Sequence, residues 1–313
     1  MTKITTQKKI TIGRFIDPLS DFGFKRLFGT EPNKDLLIGF LNEIFHGKKV
    51  IADLIYNKNE QQGPRMGSRK AIFDLTCTGK DGEQFIIEVQ RIRQKFFKDR
   101  AIYYASRLLH DQAPRDRDWD YSLKEVYFIG LMDFTLDDSD RDKYIHHVHL
   151  TYSNSNKVFY EKLEFIFIEI PKFVKAETEL NTGMDKWLYV LKNMSSLNKI
   201  PVILNSRLFI KLFNIASVSN LKKEEFMKYE KDLMAAWDEY AIKKTLLEEG
   251  REEGREKGRE EGREEGREEG REEGKATVVK NLITKMGMTD AQVADIAEVS
   301  ISFVKKVRQK VKK

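Results

Sequence analysis

The chain has 313 residues, more than one compact domain of ordinary size needs and enough for two units and a tail. Hydrophobic side chains make up 40% of it and aromatic ones 11%, so the chain can bury a core and is not disordered throughout. Its single cysteine, Cys77, excludes an intramolecular disulfide and a multi-cysteine zinc site. Residues 1–6 hold no apolar signal segment, and no apolar run approaches the roughly 20 residues that span a bilayer. We therefore expect a cytoplasmic protein that does not interact with membranes.

Charge is unevenly distributed along the chain. The formal net charge is +6, but residues 248–274 carry 13 acidic and 7 basic side chains, and residues 275–313 carry 9 basic and 3 acidic ones. An acidic segment therefore separates two basic parts. A basic balance favours polyanionic partners through attraction and counterion release, but it does not distinguish DNA, RNA or an acidic protein.

Hydrophobic periodicity predicts an alternation of helices and strands in the first 175 residues. Apolar residues recur at helical spacing after Asn33, which is placed to cap that helix. Residues 71–78 and 84–90 predict a β-hairpin closed by residues 79–82. The other predicted elements are a strand within 50–56, a helix over 96–112, and strands over 126–132, 144–151 and 162–170.

The next part of the chain, residues 176–247, predicts a helical subdomain that covers the sheet or mediates assembly. From Gly250 to Gly274, glycine recurs at every fourth position, mostly with Arg-Glu-Glu between. Charge pairs stabilise such a helix by a few tenths of a kcal/mol each, whereas each glycine costs about 1 kcal/mol relative to alanine. We expect a marginal helix, which is either a solvated spacer or a seam for homo-oligomerisation.

The tail has the pattern of a helix-turn-helix. Thr289 is a suitable N-cap for a helix that begins at Asp290, although Glu298 occupies the turn position where glycine is common. The tail either contacts DNA phosphates through its basic residues or is a small packing or dimerisation element. The sequence thus divides into four parts, at 1–175, 176–247, 248–274 and 275–313.

Two carboxylates lie within the apolar hairpin. Asp74 and Glu88 are each seven residues from Asp81 in the predicted turn, so antiparallel pairing places them opposite each other. Gln90 shares a sheet face with Glu88. A divalent cation offsets the repulsion between two such carboxylates, and oxygen ligands suit Mg²⁺, which polarises a phosphodiester and generates a hydroxide nucleophile.

The residues that follow Glu88 also suit metal-assisted hydrolysis of a phosphodiester. Gln90 cannot act as a general base, but its amide is suited to orient a water molecule or a phosphate oxygen. Three basic residues that follow, Arg91, Arg93 and Lys95, are placed to hold a nucleic-acid backbone. The structural alternative is that Asp74 and Glu88 form ion pairs with nearby basic groups and only stabilise the sheet.

Five segments together resemble the PD-(D/E)XK nuclease superfamily, and more closely its branch of transposases, or recombination-promoting nucleases. The order of helix, β-meander, helix and strand, with Asp on the second strand and Glu-x-Gln on the third, also fits. The resemblance covers roughly residues 12–175. The segments are DPLSDFGFKRLFG (17–29), FDL (73–75), IEVQ (87–90), RAIYYASRL (100–108) and GLMDF (130–134).

The resemblance implies an α/β, restriction-endonuclease-like fold, with a mixed sheet flanked by helices, and a Mg²⁺-dependent DNA endonuclease linked to recombination or mobile elements. Asp74 and Glu88 would be metal ligands, Asp21 would add an acidic group, and Gln90 would stand in place of the signature lysine. Tyr104 and Arg107 match the helix that flanks the site and would contact DNA. The alternative is a protein that keeps the fold without catalysis and acts as a DNA-binding or protein-interaction module.

Overall fold

A computed structural model describes residues 12–58, 60–61, 71–113, 120–136 and 139–311 of the chain. Residues 1–6, where we predict no signal segment, lie outside these ranges. The chain divides after Glu239 into two compact units. Within the described ranges, no helix is both long and apolar enough to cross a membrane.

The first unit is built on a mixed six-stranded sheet with the strand order β1-β4-β5-β6-β8-β7, in which β5, β6 and β8 are parallel and the outer pairings are antiparallel. A separate antiparallel pair joins β2 and β3. The elements are α1 (Asp21–Phe28), α2 (Lys34–Ile44), β1 (Leu54–Tyr56), β2 (Glu60–Gln61), β3 (Ala71–Ile72), β4 (Leu75–Gly79), β5 (Gln84–Gln90), α3 (Phe97–Asp111), β6 (Val126–Met132), β7 (Ile145–Thr151), β8 (Val158–Glu169), α4 (Gly183–Asn193), α5 (Arg207–Ala216) and α6 (Lys223–Met286).

Both faces of the central strands are covered, as their continuous apolar sequences require. All seven residues of β6 are buried. On one face, α3 packs against the sheet through Phe97, Ala101 and neighbouring apolar residues. On the other face, α1, α2, α4 and α5 share a single core with the sheet. The predicted mixed α/β fold with flanking helices is therefore confirmed.

A glycine lies where α3 approaches β6. A β-carbon added at Gly130 would lie 3.1 Å from a ring carbon of Phe167 and 3.3 Å from one of Phe97. Phe97 is the first residue of α3. The absence of a side chain at position 130 therefore lets the start of α3 lie close against the sheet.

A tight turn precedes α1, an eight-residue helix that the periodicity of the sequence does not reveal. The Ser20 hydroxyl caps this helix by accepting a hydrogen bond from Gly23 N at 3.0 Å. A β-carbon at Gly23 would lie 1.9 Å from the Asp17 carbonyl oxygen, so only glycine fits. Asp17 N in turn donates to the hydroxyl of buried Tyr229, at 2.8 Å, which ties this turn to the start of α6.

The predicted order of elements is confirmed, but two local expectations are wrong. Asn33 stands at the N-cap position of α2 without capping it, because its side-chain amide donates to the Arg26 carbonyl at 2.9 Å. The strand predicted over 71–78 is interrupted at residues 73–74, between β3 and β4. There the Asp74 carboxylate, rather than a main-chain carbonyl, accepts the hydrogen bond of Val89 N.

The second unit is helical. Its first part belongs to α6, which runs without a break through the glycine repeat, where residues 250–274 are exposed. Two further helices follow, α7 (Asp290–Ile296) and α8 (Ile301–Val311), and they form a small core with Val279 and Ile283 of α6. Thr289 caps α7, as predicted, and Glu298 in the turn has the left-handed φ of 48° that glycine usually supplies.

Replacing Tyr229 with phenylalanine is expected to lower the free energy of unfolding by about 1–3 kcal/mol, because Asp17 N loses its acceptor in a buried setting. Urea denaturation of the full chain measures this change. Tyr152→Phe, at an exposed tyrosine with no hydroxyl partner among the described residues, is the control and should change stability by less than about 0.5 kcal/mol. Equal losses in the two variants would contradict the role of the Tyr229 hydroxyl.

Candidate active site

The hairpin of β4 and β5 brings the two predicted carboxylates together. Leu75 pairs with Ile87, so the next pair in this register is Asp74 with Glu88. Asp74 N donates to Glu88 Oε1 at 3.3 Å, and Val89 N donates to Asp74 Oδ2 at 2.7 Å. The predicted adjacency of the two residues is confirmed.

Burial makes this pair electrostatically unfavourable. Glu88 is only 4% exposed, and burial, followed by the charge of Asp74, raises its pKa to about 8. The pKa of Asp74 is also raised, mainly by burial, although the hydrogen bond from Val89 N opposes the rise. In the absence of a cation, the pair therefore favours proton uptake over double ionisation.

Arg100, in the first turn of α3, supplies a positive charge beside the pair. Its Nη2 lies 3.8 Å from Glu88 Oε2 and donates to Gln90 Oε1. The guanidinium also lies over the rings of Phe97 and Tyr104, with 5.5 Å and 5.8 Å to the ring centroids. Sequence reasoning did not select Arg100 as a site residue, although it opens the segment 100–108 and lies one helical turn before Tyr104.

Gln90 is held at both ends of its amide. Its Oε1 accepts from Arg100, and its Nε2 donates to the Ile92 carbonyl at 2.8 Å. Nε2 carries a second hydrogen. The side chain is thus fixed in orientation and retains one donor for a further ligand.

A cavity of about 230 Å³ opens beside these residues, with Asp21, Asp74 and Gln90 in its wall. Asp21 forms an ion pair with Lys25 at 2.6 Å, and its charge contributes to the raised pKa of Asp74. Glu88 does not line the cavity. In the part of the chain that the structure describes, no group of three or more His, Cys, Asp or Glu side chains is arranged to hold a metal ion.

The basic residues that follow Gln90 differ in exposure. Arg93 and Lys95 are exposed, whereas Arg91 is half-buried and forms an ion pair with Asp17 at 3.0 Å. Of the three, Arg93 and Lys95 are therefore the ones that the fold presents to a large ligand.

The two residues predicted from the flanking helix are tied to the protein interior. Tyr104 is half-buried and packs edge-on against Phe73, with 5.0 Å between ring centroids. Arg107 is 8% exposed, and its Nη2 lies 3.6 Å from Asp111 Oδ1. Arg107 therefore has little surface with which to contact DNA.

The sheet order, the flanking helices and a carboxylate pair on a β-hairpin define an α/β protein of the restriction-endonuclease-like class. A family model for the PD-(D/E)XK nuclease family transposases matches residues 18–245, which include Asp21, Asp74, Glu88 and Gln90. The chain belongs to this family, as the sequence resemblance indicates. Comparison with curated proteins and with solved structures finds no match.

Replacing Glu88 with glutamine is expected to stabilise the metal-free protein at alkaline pH. The folded-state pKa of Glu88, about 8, lies above the roughly 4.3 of a glutamate in an unfolded chain. Between these values the unfolded state binds fewer protons, so the stability of the wild type falls as the pH rises to about 8. Glutamine cannot ionise, so the variant lacks this loss.

Melting temperatures in EDTA between pH 5 and pH 9 measure this effect. Glu88→Gln should melt several degrees above the wild type at pH 9 and close to it at pH 5, given about 2–4 °C per kcal/mol for a domain of this size. The exposed substitution Glu161→Gln is the control and should follow the wild-type profile. A Glu88→Gln profile parallel to that of the wild type would show that Glu88 does not titrate in this way.

Proposed function

We propose that the protein is a metal-dependent endonuclease that hydrolyses DNA phosphodiester bonds in recombination or the movement of mobile elements. Membership of a nuclease-fold transposase family supports the reaction class and the DNA substrate. The observation that carries the proposal is the adjacency of Asp74, directly before β4, and Glu88 on β5. Two carboxylates brought together at a cost in stability are expected where they share a ligand.

Asp74 and Glu88 would hold the divalent cation, with Asp21 adding an acidic group from the same cavity. The raised pKa values of Asp74 and Glu88 support this assignment, because a dication relieves the repulsion that opposes their ionisation. Oxygen donors with few protein carboxylates suit Mg²⁺, which keeps coordination positions for water and phosphate. Such an ion supplies Lewis-acid polarisation of the phosphodiester and a water of lowered pKa.

Gln90 and Arg100 would act on the phosphate. The remaining N–H of Gln90 would orient a water molecule or a phosphate oxygen at the cavity. Arg100, held against Gln90 and two aromatic rings, supplies the positive charge that the family's lysine provides and that Gln90 cannot. A guanidinium fixed before the reaction stabilises developing negative charge without reorganising.

Arg93 and Lys95 would steer the DNA backbone towards the cavity, since both are exposed. Arg91 would act less directly, through its ion pair with Asp17. Tyr104 would position Arg100 by stacking. Arg107 is left out of this surface because it is buried.

A second candidate function is that of a non-catalytic module with the nuclease fold. The observation that favours it is the burial of Glu88 beside Arg100, outside the wall of the cavity. In that case the helical tail would provide DNA or protein contacts. Lys305, Lys306 and Lys310 of α8 are exposed, whereas Arg308 is tied to Asp290 at 2.6 Å.

The helical region and the glycine repeat are the candidate surfaces for self-association. Beta-carbons added at the repeat glycines would meet no other atom within 4 Å, so these positions are open to a neighbouring helix. The same openness fits a solvated spacer.

Plasmid nicking in Mg²⁺ tests the enzymatic proposal. Asp74→Ala should lower the nicking rate by at least roughly a hundredfold, the scale on which a single catalytic electrostatic group acts. The control is Asp81→Ala, at an exposed residue of the hairpin turn, which should nick at the wild-type rate. Equal nicking by the wild type and Asp74→Ala would remove the assignment, and absence of nicking by the wild type across divalent metals would favour the non-catalytic module.

Substitution of Arg100 tests its proposed contact with the phosphate. Arg100→Met should reduce the single-turnover cleavage rate at saturating DNA by about tenfold or more, and Arg100→Lys should lose less because it keeps the charge. Arg207→Met, at an exposed arginine of α5, is the matched control. A wild-type rate for Arg100→Met, with an unchanged melting temperature, would contradict the role.

A further inference from the structure

A second, larger groove opens next to the carboxylate cavity. It has a volume of about 690 Å³ and lies between α1 and the first turns of α6. Its wall shares Asp21, Asp232 and Ala235 with the cavity that contains Asp74. A polymer that reaches Asp74 can therefore continue into the groove without leaving the protein surface.

Two lysines give the groove a surplus of positive charge. Lys228 and Lys231 of α6 are exposed and three residues apart, so they lie on the same face of the helix, with about 5–6 Å between their Cβ atoms. Across the described ranges, neither lysine has an ion-pair partner within 4.0 Å. Of the three carboxylates in the groove, Asp21 and Glu225 form ion pairs with Lys25 and Arg26, each at 2.6 Å. Asp232 accepts a hydrogen bond from Phe22 N at 3.0 Å and keeps its charge, so one positive charge of the two lysines remains in excess.

We infer that this groove binds the sugar–phosphate backbone of DNA on one side of the bond to be cut, with Lys228 and Lys231 each facing a phosphate. The inference rests on the proposed function. Flexible ammonium groups act as point charges, which suits contacts that hold a backbone without reading its sequence. The groove is separate from Arg93 and Lys95, which are not part of its wall, so it adds a second contact region to the predicted one.

The salt dependence of DNA binding tests the inference. We would measure fluorescence anisotropy of a labelled duplex of about 20 base pairs, with the full chain in EDTA to prevent cleavage, between 50 and 300 mM salt. The double substitution Lys228→Gln and Lys231→Gln should reduce the slope of log K against log [salt] by about 2, at roughly 0.9 per phosphate contact. At about 100 mM salt the affinity should fall by roughly 10- to 60-fold.

A matched double variant, Lys157→Gln with Lys199→Gln, removes the same charge from exposed lysines outside the groove. It should keep the wild-type slope, and melting curves of both variants check that the fold is retained. An unchanged slope for the groove variant, with a wild type that binds DNA, would overturn the groove and leave the nuclease proposal standing. A wild type that binds labelled RNA but no labelled duplex DNA, both in EDTA and with a divalent metal present, would overturn both.

Discussion

The repulsion between two neighbouring carboxylates is the constraint on which the candidate site depends. Asp74, directly before β4, and Glu88 of β5 lie next to each other, Glu88 buried and Asp74 half-buried. Hydrogen bonding alone would not favour two acidic side chains there. The arrangement persists because the strand register is determined by the apolar residues on either side, which belong to the buried layers of the sheet.

Several weaker interactions offset part of the repulsion between the two carboxylates. The N–H of Val89 bonds to the Asp74 carboxylate, and the guanidinium of Arg100 lies beside Glu88 and Gln90. Arg100 belongs to the first turn of α3, which packs on the sheet through Phe97 above Gly130. Charge at the site is therefore balanced by side chains from different layers of the fold.

Counting residues from the turn was enough to predict the pairing of Asp74 with Glu88, because the register of a hairpin is determined by its local sequence. Arg100 was not predictable in the same way, since its direction depends on how α3 rotates as it packs on β6. The burial of Arg107 was not predictable either, because it also depends on the rotation of α3 against the sheet. Lys228 and Lys231 line the same groove as residues of α1 that precede them by some two hundred positions in the sequence. Periodicity carries no information over such a separation.

The contact above Gly130 has an evolutionary consequence. A methyl group at this position would press on the rings of Phe167 and Phe97, and Phe97 belongs to the turn of α3 that carries Arg100. Homologues with alanine at the equivalent of 130 should therefore have a smaller residue at the equivalent of 167 or of 97. Such compensating substitutions would appear as covariation between two apolar positions, neither of which takes part in the chemistry.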